Sequence, residues 1–278
     1  MSIIIRCVYM KIGKTEKYIT EAIEQKGGLL FSLIDPIDYK SPKDAIAVAK
    51  AACDAGTDIL LIGGSTGVQG TVLDIVASEI KSIANVPVVL FPGNISTVTK
   101  HADAVYFMSL LNSRNPYWIS QAQALAAFPV KQMGIEPLPV GYIVVEPGGT
   151  VGHVGDVNLI PRSKPSLAAA YALAAEFMGH RFVLTDAGSN PATGHIPLEM
   201  VAAVAKTISV PYIVGGGVRT PEQAKSVIAA GAGAVQVGTA LEGKGDPKKT
   251  VEAMLKAVRE GAAHRSAATD LAKRAKVK

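Results

Sequence analysis

Two glycine-rich segments near the end of the sequence carry its strongest chemical signal. Gly215, Gly216 and Gly217 directly follow one apolar run, and the pair Gly238-Thr239 follows the next. Glycine allows close approach of backbone N–H groups to a ligand because it has no Cβ, and the N-termini of helices favour anions. These segments therefore predict a phosphate-binding site. The alternative is that the glycines only make tight turns. A glycine-rich phosphate site is also found in many unrelated enzymes, so it does not identify the reaction.

Acidic and hydroxyl side chains follow other apolar runs. Asp35 ends the first run, and a hydroxyl from either Ser65 or Thr66 follows the second. One carboxylate together with phosphate oxygens and water suits Mg²⁺, although Asp35 could equally cap its own turn. Asp186 and Glu146 end two later runs, and either could serve as a general base. Each could instead be a structural hydrogen-bond acceptor.

Histidine and aromatic side chains give weaker signals. No metal-site spacing relates the four histidines within the body of the chain, which we expect in loops or at the surface: His101, His153, His180 and His195. Tyr117 and Trp118 precede an Ala-rich helical segment that either packs on the rest of the protein or floors a groove for an apolar chain. The sequence does not separate these two interpretations.

The elements that must position these residues alternate along the chain. Short apolar runs end in Gly-rich or polar turns and are followed by Ala-rich helical patterns, which predicts a parallel sheet with covering helices. Ser41-Pro42 and Thr220-Pro221 each place a hydroxyl cap before a proline at a helix start. Eight such strands predict a TM (β/α)8 barrel preceded by a short helix at 15–25: Leu29–Ile34, Asp58–Ile62, Val86–Phe91, Ala104–Phe107, Gly141–Val145, Phe182–Thr185, Tyr212–Val214 and Ala234–Val237.

Length and composition agree with one such barrel as a single domain over 1–278. The chain has 278 residues, of which 49% are hydrophobic and 5% aromatic, and its net charge is +5. We interpret 1–13 as a possible start-site extension, with Met10 as an alternative start, and 264–278 as a basic tail. The two cysteines do not have the spacing of a redox or metal site. No apolar run reaches the ~20 residues that a membrane helix needs. The sequence also lacks a set of aromatic residues on which nucleic-acid bases could stack. A cytoplasmic protein is expected.

Longer segments make the sequence similar to one known family. The chain resembles archaeal geranylgeranylglyceryl phosphate synthases over residues 14–262, through LIDP, GGSTGVQGTVLD, LFPGN, LLNSRNPYWISQAQ, VGYIVVEPGGTVGHVGD, LIPRSKPSLAAAYALAAEFMG, TDAGSNPA and VGGGVRTPEQA. Matches of this length are far more specific than a short glycine motif.

The resemblance implies an activity and its partners. Members of the family transfer a geranylgeranyl group from geranylgeranyl diphosphate to the 3-hydroxyl of sn-glycerol 1-phosphate, forming the first ether bond of archaeal membrane lipids. The resemblance implies Mg²⁺ as cofactor, held by Asp35 and Ser65, delivery of the product to the membrane, and a homo-oligomer (dimer or hexamer). It also implies a glycerol-phosphate site formed by these residues: Leu184, Thr185, Asp186, Ala187, Gly188, Ser189, Asn190, Gly215, Gly216, Gly217, Gly238 and Thr239.

The sequence departs from the family pattern at the sixth strand. The family has Tyr-Leu-Glu-Ala-Gly-Ser where this chain has Leu-Thr-Asp-Ala-Gly-Ser at 184–189, so Asp186 replaces the catalytic glutamate and the tyrosine is absent. Asn190 and His153 stand where the resemblance leads us to expect glycine and tryptophan. These changes bear on rate and substrate fit more than on the fold.

Two rival functions use the same phosphate cradle. A phosphosugar isomerase or a flavin-binding barrel enzyme would need neither the metal nor a prenyl donor. A non-catalytic barrel would bind glycerol 1-phosphate without turnover, and the altered sixth-strand motif motivates this alternative.

Overall fold

Eight parallel strands close into a barrel in the computed structural model, which describes residues 12–64, 69–243 and 245–275, with side chains to residue 268. Each strand pairs with its neighbours in chain order, and the first strand pairs with the eighth. The predicted (β/α)8 barrel is therefore confirmed. The strands are β1 (Leu29–Ile34), β2 (Ile59–Ile62), β3 (Val88–Leu90), β4 (Ala104–Leu110), β5 (Glu136–Val144), β6 (Phe182–Asp186), β7 (Tyr212–Gly215) and β8 (Ala234–Val237).

Helices cover the barrel on all sides but one. The connection between β3 and β4 contains only a single 3₁₀ turn, Ile95–Thr97, in the position where the alternating pattern leads one to expect a helix. The outer face of these two strands is therefore less covered than the others. The helices are α1 (Lys14–Lys26), α2 (Pro42–Asp54), α3 (Gly70–Ile83), α4 (Ala122–Met133), α5 (Gly149–Val154), α6 (Pro165–Phe177), α7 (Leu198–Thr207), α8 (Pro221–Ala229) and α9 (Pro247–Ala275).

Alternation of side chains along each strand gives the barrel two apolar layers. Phe31 and Leu61 point into the barrel, where they pack with other inward residues. Leu30 and Leu60, one position away, point outward and pack beneath the helices. Strands that are buried on both faces need apolar residues at consecutive positions, which is why the sequence shows continuous runs rather than an alternating pattern.

The predicted helix caps are present. The Ser41 side chain accepts a hydrogen bond from the backbone of Asp44, and Thr220 forms a reciprocal capping box with Gln223 at the start of α8. Such caps satisfy N–H groups that have no partner inside the helix. The cap at Thr220 fixes the direction in which the N-terminus of α8 points, toward the carboxyl ends of the strands.

Some predicted boundaries were wrong. β5 begins at Glu136, five residues before the predicted start at Gly141. The prediction was late because prolines such as Pro137 and Pro139 are rare inside strands. The segment between β5 and α6 contains the short helix α5. No helix within the described ranges is long and apolar enough to cross a membrane. Ser65 and the extension before residue 12 lie outside the described residues.

Candidate functional site

A cavity opens at the carboxyl ends of the strands, where the candidate residues were predicted to lie. Its atom-free space, including the open mouth, is about 1460 Å³. It has three chemically different parts: an anion cradle near β6 to β8, a carboxylate cluster near β1, and an apolar groove beside α4. Eight of the twelve residues predicted for the phosphate site line it: Asp186, Gly188, Ser189, Asn190, Gly216, Gly217, Gly238 and Thr239.

The other four predicted residues do not line the cavity. Leu184 points into the barrel core, and Ala187 packs in the outer apolar layer. The Thr185 hydroxyl is buried and lies 2.7 Å from the Tyr212 hydroxyl, away from the cavity. Gly215 is buried beneath the cavity, beside Asp186. These residues shape the floor of the site but present no side chain to a ligand.

The anion cradle depends on glycines that no other residue could replace without strain. Gly216 and Gly217 have φ angles of 75° and 76°, a region that L-residues rarely adopt. A Cβ on Gly216 would lie 2.5 Å from Asp186 Oδ1, and one on Gly217 would lie 2.6 Å from the carbonyl carbon of Gly194. The backbone is therefore packed tightly against the loop that follows β6, next to the capped N-terminus of α8.

Arg219 supplies a cation to the same end of the cavity, and the sequence analysis did not identify it. Its guanidinium lies in the cavity lining and donates to the Asn190 side chain at 2.6 Å and to the Pro191 carbonyl at 2.8 Å. Asn190 has a φ of 45°, which asparagine tolerates better than most residues. This explains how Asn190 occupies a position where the resemblance predicts glycine. The signal in the sequence was the arginine in GGGVR.

Asp186 is held by two hydrogen bonds at the centre of the site. Tyr142 donates to Oδ2 at 2.9 Å, and the Gly188 backbone N–H donates to Oδ1 at 2.7 Å. Burial raises the pKa of Asp186, although both hydrogen bonds act in the opposite direction. Tyr142 belongs to β5, so a tyrosine contacts this carboxylate from the neighbouring strand even though β6 has none.

Three carboxylates form a second cluster across the cavity. Ligand oxygens of Asp35, Asp38 and Glu242 all lie within 4.8 Å of one another. Burial, followed by the charges of Asp38, Glu242 and Asp186, raises the pKa of Asp35 from 3.8 to about 7. Burial and the charge of Asp38 also raise the pKa of Glu242. A cluster that resists ionisation in this way is one that a cation would stabilise.

The environment of Asp35 fits a divalent cation better than a turn cap. Its side chain makes no capping hydrogen bond, and Oδ1 is buried without a hydrogen-bond partner among the described residues. A Cβ on Gly63 would lie 2.4 Å from this oxygen, so glycine is needed there to make room for the carboxylate. The capping interpretation of Asp35 is therefore wrong. Hard oxygen ligands of this kind suit Mg²⁺.

Two members of this cluster were not predicted from the sequence. Asp38 lies one turn after Asp35, and Glu242 follows the predicted Gly238-Thr239 pair. They meet because β1 and β8 close the barrel side by side. The spacing of three residues in LIDPID was a usable signal for Asp38, whereas Glu242 is separated from Asp35 by most of the chain.

An apolar groove runs from the cavity along α4. Ala122, Ala126 and Val130 line it at intervals of four residues, which places them in one row about 12 Å long. Val98, which follows the 3₁₀ turn between β3 and β4, and Phe107 of β4 also line the cavity. Small residues along α4 leave room for an extended apolar chain.

Other candidate residues have structural partners. Trp118 lines the cavity and also packs against the inner apolar layer. The Ala-rich helix that follows it, α4, also lines the cavity, through Ala122 and Ala126. Glu146 accepts a hydrogen bond from the backbone of Arg162 and is exposed. His180 and His195 each contact a backbone carbonyl. The carboxylate cluster of Asp35, Asp38 and Glu242 contains no histidine.

Comparisons with known proteins agree with this arrangement. Geranylgeranylglyceryl phosphate synthases from Thermococcus sibiricus and Pyrococcus horikoshii are each 52% identical, over 90% and 91% of this chain and 98% of either relative. The crystal structure of (S)-3-O-geranylgeranylglyceryl phosphate synthase from Thermoplasma acidophilum in complex with sn-glycerol-1-phosphate matches with a TM-score of 0.84 and 37% identity, covering 90% of this chain and all of that one. The PcrB family matches residues 21–262. The chain therefore belongs to the PcrB family, in which these geranylgeranylglyceryl phosphate synthases are its relatives.

Proposed function

We propose that this protein transfers a geranylgeranyl group from geranylgeranyl diphosphate to the 3-hydroxyl of sn-glycerol 1-phosphate, forming the first ether bond of archaeal membrane lipids. One observation carries the proposal: a single cavity joins an anion cradle, a carboxylate cluster and an apolar groove. A phosphorylated acceptor, a diphosphate and a long apolar tail together use all three parts. A phosphosugar isomerase or a flavin enzyme would leave the groove beside α4 unused.

The acceptor phosphate would bind at the anion cradle. Gly216, Gly217 and the pair Gly238-Thr239 line this end of the cavity, and α8 begins shortly after Gly217, at Pro221. Arg219 adds a positive charge beside them. N–H groups and a guanidinium are suited to phosphate oxygens, and their position leaves the rest of the glycerol pointing toward Asp186.

Asp186 would accept the proton of the attacking hydroxyl. As the glycerol 3-oxygen bonds to the first carbon of the prenyl group, the bond from that carbon to diphosphate breaks, and the hydroxyl proton moves to the Asp186 carboxylate. Burial makes this carboxylate a better proton acceptor than an exposed one. The hydrogen bond from Tyr142 orients it, which supports the view that aspartate suffices where the family has glutamate.

The leaving diphosphate would lie near the carboxylates of Asp35, Asp38 and Glu242. We propose that these residues, together with Ser65, hold Mg²⁺. When bound, the ion supplies positive charge that neutralises the diphosphate as it leaves. Asp35 Oδ1 supports this assignment, because it is buried against Gly63 and has no hydrogen-bond partner among the described residues. Without a cation, three clustered carboxylates would repel a diphosphate.

The groove beside α4 would hold the prenyl tail and exclude water from the reacting carbon. Ala122 and Ala126 provide space, and Phe107, Val130 and Trp118 provide apolar surface. Tail length would then be limited by the end of this groove.

Three further aspects of the function belong to the same proposal. We propose a cytoplasmic location, delivery of the product to the membrane, and assembly into a homo-oligomer (dimer or hexamer). The oligomer is supported by an apolar patch at the C-terminal end of α6, formed by Phe177 and Met178, and by Leu167, which is exposed in the first turn of the same helix. Exposed patches of this kind usually mark interfaces.

The test is product formation by the purified protein from geranylgeranyl diphosphate and sn-glycerol 1-phosphate, with and without Mg²⁺, using sn-glycerol 3-phosphate as the stereochemical control. Metal-dependent release of pyrophosphate with the 1-phosphate alone is expected. Binding of glycerol 1-phosphate without turnover of any prenyl donor would identify a non-catalytic barrel. Full activity of an Asp35→Asn variant would contradict the metal assignment.

A further inference from the structure

The outward side of α4 is apolar, which is unusual for a surface helix. Among its twelve residues only Val130 is buried, while Leu125 is 59% exposed and Phe128 is 74% exposed. Surface helices normally present polar residues to water. Ala124 and Ala127 are also exposed. We call these four residues the α4 face.

The α4 face continues the surface of the groove. Groove-lining Ala126 lies on the same helix, between Leu125 and Phe128. At the rim, Ile95 and Val154 both line the cavity and are themselves exposed. Apolar surface therefore extends from the reaction site to the outside of the molecule on this side of the barrel. A tail that enters the groove has to cross this rim.

The charged residues of α4 and of the segment before it are positive. No Asp or Glu occurs between residues 104 and 135, where the charged residues are Arg114 and Lys131. The connection from β3 to β4 carries Lys100 and, directly before β4, Asp103, which pairs with Lys81 at 2.7 Å. Lys100 and Lys131 are exposed, and Arg114 pairs with Asp156 at 2.6 Å. Exposed apolar residues on a helix with flanking cations are typical of helices that lie in the headgroup layer of an anionic bilayer.

We propose that the α4 face docks on an anionic lipid bilayer, so that the prenyl tail passes from the membrane into the groove without crossing water. This inference rests on the proposed function, because it assigns a source to the donor. A bilayer fits this face better than a second copy of the chain, which would cover the rim at Ile95 and Val154. The patch on α6 lies beside no groove and is the better surface for a second copy.

The test is flotation of the full-length protein with vesicles of phosphatidylglycerol, and with vesicles of phosphatidylcholine for comparison, in the absence of substrates. The protein is expected to float with the anionic vesicles and to be released by salt. Phe128→Glu should lower the vesicle-bound fraction at least about tenfold. The change removes an aromatic side chain that would insert into the bilayer and adds a negative charge that anionic lipids repel. Leu125→Glu provides a second variant of the same face.

Leu198→Glu is the control matched to Leu125→Glu. Leu198 is 40% exposed at the start of α7, so the change is chemically identical but lies outside the α4 face and outside the residues proposed for the oligomer, and vesicle binding should be unchanged. Equal binding by the wild type, Phe128→Glu and Leu125→Glu would overturn the proposal, as would failure of the wild type to float. A change in oligomer mass caused by Phe128→Glu, without vesicle binding by the wild type, would assign this face to a second copy and also overturn it.

Turnover separates this inference from the proposed function. With the prenyl donor supplied in detergent micelles, Phe128→Glu should retain wild-type activity, because Phe128 does not line the cavity. With the donor in anionic vesicles, the same variant should lose activity in proportion to its lost binding. Loss of activity with both donor preparations would overturn the docking role. Absence of turnover by the wild type in micelles would refute the proposed function while leaving the flotation result to stand.

Discussion

Replacement of Asp35 by asparagine should stabilise the metal-free protein at pH 8. The pKa of Asp35 lies near 7 in the folded protein instead of 3.8, a difference of about three units, and each unit corresponds to about 1.36 kcal/mol. The folded state therefore holds the proton more tightly than the unfolded chain. The resulting loss of stability is absent below about pH 4, grows between pH 4 and 7, and reaches at most about 4 kcal/mol above pH 7. Because Asp35 is partly exposed, the destabilisation of the wild type is smaller than this upper limit. Asp35→Asn removes the destabilisation, so the variant should gain about 2–4 kcal/mol of stability at pH 8.

The assay is urea unfolding of both proteins in EDTA at pH 5 and pH 8. The variant should gain stability at pH 8 and much less at pH 5. Added Mg²⁺ should stabilise the wild type at pH 8 and have little effect on the variant, since binding to the folded state alone raises stability. Asp54→Asn is the control, because Asp54 is exposed and pairs with Lys50. An Asp35→Asn variant that is less stable than the wild type at pH 8 would refute the reasoning.

Three further predictions concern the rest of the cavity. Asp186→Asn should lower kcat by about 10²–10⁴ with little change in the affinity for sn-glycerol 1-phosphate, as measured by steady-state kinetics and calorimetry; an unchanged kcat would exclude Asp186 as the base. Ala126→Trp should fill the groove and lower turnover of the C20 donor at least about tenfold, while a C10 donor is still used; equal loss with both donors in a competition assay would contradict this. Gly216→Ala should lower the free energy of unfolding by about 1–3 kcal/mol, because the new Cβ would lie 2.5 Å from Asp186 Oδ1; a Gly243→Ala control, with open space around it, should change urea unfolding little.

The barrel and the general position of its site could be predicted from the sequence. Parallel strands that are buried on both faces leave apolar runs, and the residues after each run meet at one end of a closed barrel. Asp35, Asp186 and Gly216 were found in this way and line one cavity. The caps at Ser41 and Thr220 were predictable because their partners lie only three residues away.

Contacts between distant segments could not be predicted in the same way. Glu242 joins Asp35 only because β8 pairs with β1, and Tyr142 reaches Asp186 from the neighbouring strand. The absence of the family's tyrosine from the sixth strand was visible in the sequence, whereas the contact between Asp186 and the Tyr142 hydroxyl was not. Arg219 likewise became meaningful only when its guanidinium was seen next to Asn190.

The connection from β3 to β4 affects more than the shape of the groove. β3 has three residues and pairs with β4 at only two positions, whereas β4 and β5 pair at seven. β7 and β8 also pair at two positions, but the full helix α8 connects them, and a single 3₁₀ turn connects β3 to β4. Local opening of the barrel should therefore begin at this seam, where amide hydrogens would exchange with solvent soonest. If the proposed function holds, an apolar tail in the groove would occupy the place of the missing helix. The donor would then complete the outer layer of the barrel, and amide exchange at this seam should slow when the donor is bound.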